Sequence, residues 1–99
     1  MSLHPDILRF ASALRKLETH LRTNDAPHWA NDIARCAAWI EQSDYNGVER
    51  FLRLFGGMGS LNDLILHRNG QMLTIENDEL RTLLTRSYEM ADGFRRERL

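Results

Sequence analysis

The feature that most constrains the fold of this chain is an apolar stripe with helical spacing near its start. Within residues 5–23, apolar side chains recur three or four positions apart, at Ile7, Phe10, Leu14, Leu17 and Leu21. This spacing places them on one face of an α-helix, which is stable only when that face is buried. The stripe is only about two heptads long, so a coiled-coil seam and packing within a helical bundle both remain open.

Length and charge limit the class of protein. The chain has 99 residues, of which 42% are hydrophobic and 27% charged, and a chain of this size forms one domain with one core. We therefore predict a single helical domain over residues 1–99. The formal net charge of −1 gives no overall field that would attract nucleic acid or an anionic membrane.

Localisation is predicted from what the sequence lacks. The apolar runs are far shorter than the ~20 residues of a membrane span. The first residues have no basic region followed by an apolar one, as a signal peptide would. Cys36 is the only cysteine, so no intrachain disulfide is expected. We expect a cytoplasmic protein that binds neither membrane nor nucleic acid.

Two further helices are predicted before the middle of the chain. A second helix over about 26–42 has Asp25 as its expected N-cap, and Trp39 falls at the edge of its apolar face, where it is expected to be partly exposed. This face contains Ala30, Ile33, Ala37 and Ile40. A third helix is predicted over about 44–55, with Ser43 as its cap. Gly47 is expected to weaken its start, because glycine costs about 1 kcal/mol relative to alanine within a helix.

The chain pattern changes after the third helix. Gly56-Gly57 is expected to end that helix, and Asn69-Gly70 is a strong hairpin signal. We predict strands at about 62–67 and 71–75, and the alternative is a short helix capped by Ser60. A last helix over about 77–97 would be capped by Asn77 or Thr74, with Asp92 paired to Arg95 or Arg96. The predicted fold class is mainly α: a four-helix, bundle-like domain with a small β-hairpin between helices 3 and 4.

Residue types that could perform catalysis or bind a metal occur without the expected spacing. Ser60, Asp63 and His67 are the types of a hydrolase triad, but a triad normally converges from separate parts of the chain. The best local pair of metal ligands, His28 with Asp32, supplies only two ligands. We therefore expect no enzyme activity, no cofactor and no metal.

One short segment is not explained by packing alone. Met58-Gly59-Ser60-Leu61-Asn62-Asp63 contains more glycine and polar residues than helix termination requires. Such side chains can hold a defined loop through local hydrogen bonds, which is a purely structural interpretation. The functional interpretation is a recognition surface. The predicted partner-binding residues are Met58, Ser60, Asn62, Asp63, His67 and Trp39.

This segment also carries a resemblance. Gly57-Met58-Gly59-Ser60-Leu61-Asn62-Asp63-Leu64, followed by Asn69-Gly70 and Glu76-Asn77, resembles a family of small uncharacterised bacterial proteins that share a Gly-Met-Gly-Ser-(Phe/Leu)-Asn-Asp motif. The resemblance covers about residues 51–91 and implies no assigned activity. By analogy of size and class, it suggests an immunity-type protein that neutralises a toxin.

Three functional hypotheses follow. The leading one is a non-enzymatic module that binds another protein, such as a cognate toxin. Self-association is a variant, because an alanine-rich helix beside an exposed Trp39 can form a symmetric contact. The alternative is a small hydrolase or ligand-binding protein that uses Ser60, Asn62, Asp63 and His67, which would have to line a concave pocket.

Overall fold

A computed structural model describes residues 4–56 and 59–98 of the chain. It contains four α-helices: α1 (Pro5–Thr23), α2 (Pro27–Glu41), α3 (Asn46–Arg53) and α4 (Thr74–Arg98). Between α3 and α4 lie a 3₁₀ turn (Leu61–Asp63) and an antiparallel hairpin of β1 (His67–Arg68) and β2 (Gln71–Met72). The predicted mainly α fold, with a small hairpin between the third and fourth helices, is confirmed.

The helices pack in a ring. α1 packs against α2 and α4, and α3 also packs against α2 and α4. α1 and α4 run antiparallel: His20 near the end of α1 donates from Nε2 to the carbonyl oxygen of Glu76, in the first turn of α4, at 2.9 Å. Grooves lie between α1 and α4 and between α3 and α4.

The core is joined by a chain of aromatic rings. Phe10 contacts Phe51 and Phe94, each with ring centroids 5.7 Å apart. Phe55 lies 5.1 Å from Phe51 and 5.0 Å from Tyr88. Edge-to-face contacts of this kind add to the free energy gained from burial. The predicted stripe of α1 is confirmed, since its four residues from Phe10 to Leu21 have 0% exposure.

The predicted caps of α2 and α3 are wrong. Asp25 and Ser43 both adopt left-handed conformations, with φ of 61° and 58°, and an N-cap residue does not. Ala26 precedes α2 without a side-chain hydrogen bond. At α3 it is the Asp44 carboxylate that accepts from the Asn46 amide at 2.9 Å. Asp25 and Ser43 instead lie in the short connections that precede α2 and α3. α3 spans Asn46–Arg53 rather than the predicted 44–55.

Gly47 has a packing role that its sequence position did not reveal. A Cβ atom at this position would lie 2.8 Å from the carbonyl oxygen of Cys36 and 2.9 Å from Ile40 Cδ1. Glycine therefore allows the start of α3 to approach α2 closely.

The hairpin is shorter than predicted, and the last helix begins earlier. Asn69 and Gly70 have φ of 53° and 79°, the two positive values of a type I′ turn. The strands span two residues each rather than 62–67 and 71–75, since residues 61–63 form the 3₁₀ turn and α4 already begins at Thr74. α4 begins at Thr74 rather than at 77, so Asn77 lies inside the helix and does not cap it. In the parts of the chain described here, no helix is both long and apolar enough to cross a membrane.

Candidate interaction surface

The segment from Gly59 to Leu66, which we call the anchored segment, is held first by hydrogen bonds near its start. The Asp63 carboxylate accepts a hydrogen bond from the Gly59 amide at 3.0 Å, which closes a small loop. The Leu61 amide donates to the carbonyl oxygen of Leu54 at 2.8 Å, and the Leu61 side chain is fully buried. The start of the segment is thus fixed to the end of α3.

Arg81 of α4 fixes the middle of the segment. Its Nη1 donates to the Asn62 carbonyl oxygen at 2.8 Å, and its Nη2 donates to the Leu64 carbonyl oxygen at 2.6 Å. A charged donor makes these hydrogen bonds stronger than neutral ones. The planar guanidinium thus donates to two carbonyl groups that do not accept a hydrogen bond within the 3₁₀ turn.

Asn77 fixes the end of the segment. Its Oδ1 accepts from the Leu66 amide at 2.8 Å, and its Nδ2 donates to the Leu66 carbonyl oxygen at 3.1 Å. The side-chain amide therefore pairs with the extended backbone as a neighbouring strand would. The same carbonyl oxygen also accepts from the Leu73 amide at 3.0 Å.

The outer side of the hairpin exposes apolar groups. His67 and Met72 are opposite one another in the strand register, so their side chains lie on the same side of the hairpin. Ile65 is two residues before His67, and Leu66 between them is buried. This alternation of exposure places Ile65 on the same side as His67. Ile65 is 43% and Met72 60% exposed. We refer to Ile65, His67 and Met72 as the hairpin face.

A groove of about 500 Å³ between α3 and α4 contacts the anchored segment. Its lining includes Leu52, Phe55, Asn62, Arg81, Tyr88 and Glu89. Tyr88 is 36% exposed, and its ring packs on the edge of Phe55. The groove thus combines a partly exposed aromatic ring with amide, cationic and anionic groups.

The predicted binding residues are only partly brought together. Asn62 and Asp63 are exposed in the anchored segment, Ser60 is half-buried there, and His67 is exposed on the adjoining hairpin. Met58 lies outside the described residues. Trp39 belongs to a different part of the surface: it is half-buried on α2, where the Arg50 guanidinium of α3 lies 5.8 Å from the centre of its ring.

The polar groups of Ser60, Asp63 and His67 are not arranged as a triad. The Asp63 carboxylate accepts from Gly59, and His67 Nδ1 lies 3.0 Å from the Ile65 carbonyl oxygen. Ser60 Oγ is buried and has no hydrogen-bond partner among residues 4–56 and 59–98. Over the same residues, no three His, Cys, Asp or Glu side chains are grouped to hold a metal ion.

The single thiol is not exposed for reaction. Cys36 is fully buried in the core, and burial raises its pKa to about 11. The thiolate is the reactive form of cysteine, so this side chain belongs to the packing between α2 and α3.

The fold and this surface define a small helical domain that carries a hairpin and a loop held by hydrogen bonds from α4. The chain belongs to the family described as Domain of unknown function (DUF6966), whose model matches residues 22–74. The match contains α2, α3, the anchored segment and the hairpin, and it ends where α4 begins. No curated protein and no solved structure matches the chain.

Proposed function

We propose that this protein is a non-enzymatic bacterial module that binds another protein through the hairpin face and the α3–α4 groove. The finer proposal is that it acts as an immunity protein, whose partner is a toxin that it blocks. One observation carries the proposal. The backbone of the segment from Gly59 to Leu66 is held by Asp63, Arg81 and Asn77, while Asn62, Ile65 and His67 keep their side chains exposed.

An anchored surface of this kind suits recognition for an energetic reason. A loop that is already ordered loses little conformational entropy on binding, so more of the contact energy contributes to affinity. Exposed apolar residues surrounded by polar ones are typical of binding surfaces. Ile65 and Met72 on the hairpin face, together with Tyr88 in the groove, would supply the central contacts.

The alternative of a small hydrolase has less support from the geometry. Its general base and its orienting carboxylate would be His67 and Asp63, and both interact with local backbone. A nucleophile needs a hydrogen bond to its base, and Ser60 Oγ makes no such bond in the described structure.

The experiment is recovery of the partner with the tagged full chain from its native host. We expect one protein in a stoichiometric amount, and the finer proposal requires that the purified chain inhibit this protein at equal concentration. The double variant Ile65→Asp/Met72→Asp should weaken the complex at least about tenfold, equivalent to about 1.4 kcal/mol.

The matched control is Thr19→Asp/Thr82→Asp, which adds the same charge at exposed positions of α1 and α4 and should leave the affinity unchanged. Circular dichroism would verify that both variants are folded. Failure to recover a stoichiometric partner, or a complex that is insensitive to the hairpin-face variant, would overturn the proposal.

A further inference from the structure

A second groove lies between α1 and α4, on helices that mostly fall outside the family match. Its volume is about 350 Å³. α1 contributes residues about one helical turn apart, among them Leu8, Ser12 and Lys16, and α4 contributes Leu83, Arg86 and Met90. The groove therefore runs along two helices that pack side by side.

The floor of this groove is apolar and incompletely covered. Leu8 is 51% exposed, although leucine at a packed helix contact is normally buried. Leu83 and Met90 on α4 are half-buried beside it. Methionine is flexible and adapts to differently shaped partners. These side chains form a strip parallel to the helices.

The edges of the groove are cationic. This is so in the part beside Lys16 and Arg86, whose lining includes Arg9, Lys16 and Arg86 and no acidic residue. The adjoining part of the same interface, beyond Arg9 and Met90, is lined by Asp6, Glu89 and Glu97. Arg9 pairs with Asp6 at 2.9 Å. Lys16 and Arg86 form no ion pair with any residue in the described parts of the chain. Two positive charges therefore flank an apolar strip.

The shape favours a helix as the occupant. Two adjacent helices present a groove into which the side-chain ridge of a third helix fits. An amphipathic helix binds such a groove through apolar residues at positions i, i+3, i+4 and i+7. A second copy of this chain fits poorly, because a two-fold contact through this face would place Lys16 and Arg86 against the same cationic edges.

We propose that the α1–α4 groove is a docking site for an acidic amphipathic helix of a partner protein. The apolar face of that helix lies on Leu8, Leu83 and Met90, and its Asp or Glu side chains pair with Lys16 and Arg86. The site is separate from the hairpin face and does not depend on the function proposed above.

The test is selection from a displayed library of 18-residue peptides on the immobilised full chain. The probe peptides have fixed leucines at helical spacing and random residues at the flanking positions. We expect enrichment of peptides with acidic flanking residues. Their affinity should fall at least about tenfold for the Lys16→Glu/Arg86→Glu variant, because both favourable charge pairs become repulsive.

The matched control is Arg35→Glu/Arg53→Glu, which makes the same change in net charge at exposed positions of α2 and α3 and should bind the peptides normally. A second variant, Leu8→Asp, should abolish binding while the circular dichroism spectrum stays that of the unchanged chain. Absence of enrichment, enrichment without an acidic bias, or affinity that the Lys16/Arg86 variant does not change would overturn the proposal. A dimer of this chain that Leu8→Asp dissociates would also overturn it, since the occupant would then be a second copy.

Discussion

Gly47 is a residue at which one added methyl group meets a neighbouring helix. Gly47→Ala would place Cβ within 3 Å of the Cys36 carbonyl oxygen and of the Ile40 side chain. We expect a loss of about 2 kcal/mol in the free energy of unfolding from overpacking, which outweighs the gain of about 1 kcal/mol in helix propensity. Urea denaturation measures the difference.

Gly93 of α4 provides the control for Gly47. A Cβ atom there has no neighbouring atom within 4 Å, so Gly93→Ala should stabilise the protein by about 0.5–1 kcal/mol through helix propensity alone. A Gly47→Ala variant as stable as the unchanged chain would contradict the prediction that α3 lies too close to α2 to accept a Cβ atom at this position.

Ser87 is a buried residue whose hydroxyl group is not satisfied. It is 0% exposed, and Oγ has no hydrogen-bond partner within the described residues. A buried polar group without a partner costs about 1–3 kcal/mol. Ser87→Ala should therefore leave stability unchanged or raise the free energy of unfolding by about 1 kcal/mol, as measured by thermal and urea denaturation.

Ser12, an exposed serine of α1 that lines the α1–α4 groove as Ser87 does, is the control for Ser87. Ser12→Ala should change stability by less than about 0.5 kcal/mol. A loss of more than about 1 kcal/mol in Ser87→Ala would show that the hydroxyl group makes a stabilising hydrogen bond after all.

At the scale of elements, the anchored segment depends on α4. Asn77→Ala would remove both side-chain hydrogen bonds to Leu66 and leave the Leu66 amide without its acceptor. We expect a loss of about 1–2 kcal/mol in stability and faster hydrogen exchange of the Leu66 amide. Thr85→Ala, at an exposed position of α4, should change neither quantity. Unchanged protection of Leu66 in Asn77→Ala would contradict the anchoring role.

α1 and α2 are joined by an ion-pair network that predicts a pH dependence. Arg15 contacts Glu41 through Nε–Oε2 at 3.0 Å and Nη2–Oε1 at 2.6 Å. This hydrogen bonding holds the pKa of Glu41 below its usual 4.5. At Glu18, burial opposes the effect, but hydrogen bonds from Arg22 and Arg15 still lower the pKa of the carboxyl group.

The sign of the effect follows from the lowered pKa values. The folded state binds a proton at Glu41 less readily than the unfolded state, so the pair stabilises the fold above the unfolded pKa. This stabilisation is lost as the pH falls through the folded pKa. Because Arg15 and Glu41 are each about two-fifths exposed, Glu41→Gln should cost only about 0.5 kcal/mol at neutral pH.

Urea denaturation at neutral pH and in acid would measure this dependence. The difference between Glu41→Gln and the unchanged chain should vanish below the folded pKa. Glu49→Gln, at an exposed position of α3, is the matched control and should change the free energy of unfolding by less than about 0.5 kcal/mol at neutral pH. A difference for Glu41→Gln that persists undiminished in acid would contradict the role of the ion pair.

The sequence predicts those elements whose determinants are local. Both ends of α1 are predicted correctly because its apolar stripe and Pro5 are signals within the helix itself. The Asn69-Gly70 turn is predicted because it depends only on the positive φ angles of these two residues. The strands are overpredicted because the backbone groups of Leu64 and Leu66 bond to the side chains of Arg81 and Asn77, although the Leu66 carbonyl oxygen also accepts from the Leu73 amide. The start of α4 is misplaced for the same reason, since Asn77 has a tertiary role.

The sequence singles out the polar segment around Asn62 as the candidate site, and this stays a prediction. The contacts that hold the segment are not local: Arg81 lies 17 and 19 residues from the carbonyl groups that it binds, and no local pattern reveals this contact. The sequence prediction places Trp39 among the binding residues only because this side chain is expected to be partly exposed. In the structure it is associated with Arg50.

At the scale of the whole molecule, the family match and the folded domain have different extents. The match ends at Thr74 and begins at the end of α1. The core contains large contributions from outside it, all nearly or fully buried: Phe10, Leu14 and Leu17 from α1, and Leu80, Leu84 and Ala91 from α4. Helices as short as α2 and α3 depend on tertiary packing for most of their stability.

A peptide of residues 22–74 should therefore fail to fold by itself. It lacks the rings of Phe10 and Phe94 that continue the aromatic chain, and it lacks Asn77 and Arg81, which hold the anchored segment. We expect a circular dichroism spectrum with little helix and no cooperative thermal transition, whereas residues 4–98 should unfold cooperatively. Because the hairpin face is fixed by α4, binding at that face should be lost in the 22–74 peptide as well. A cooperative transition in this peptide would show that the matched segment is an autonomous folding unit. The core residues of α1 and α4 would then not be required for the folding of α2 and α3.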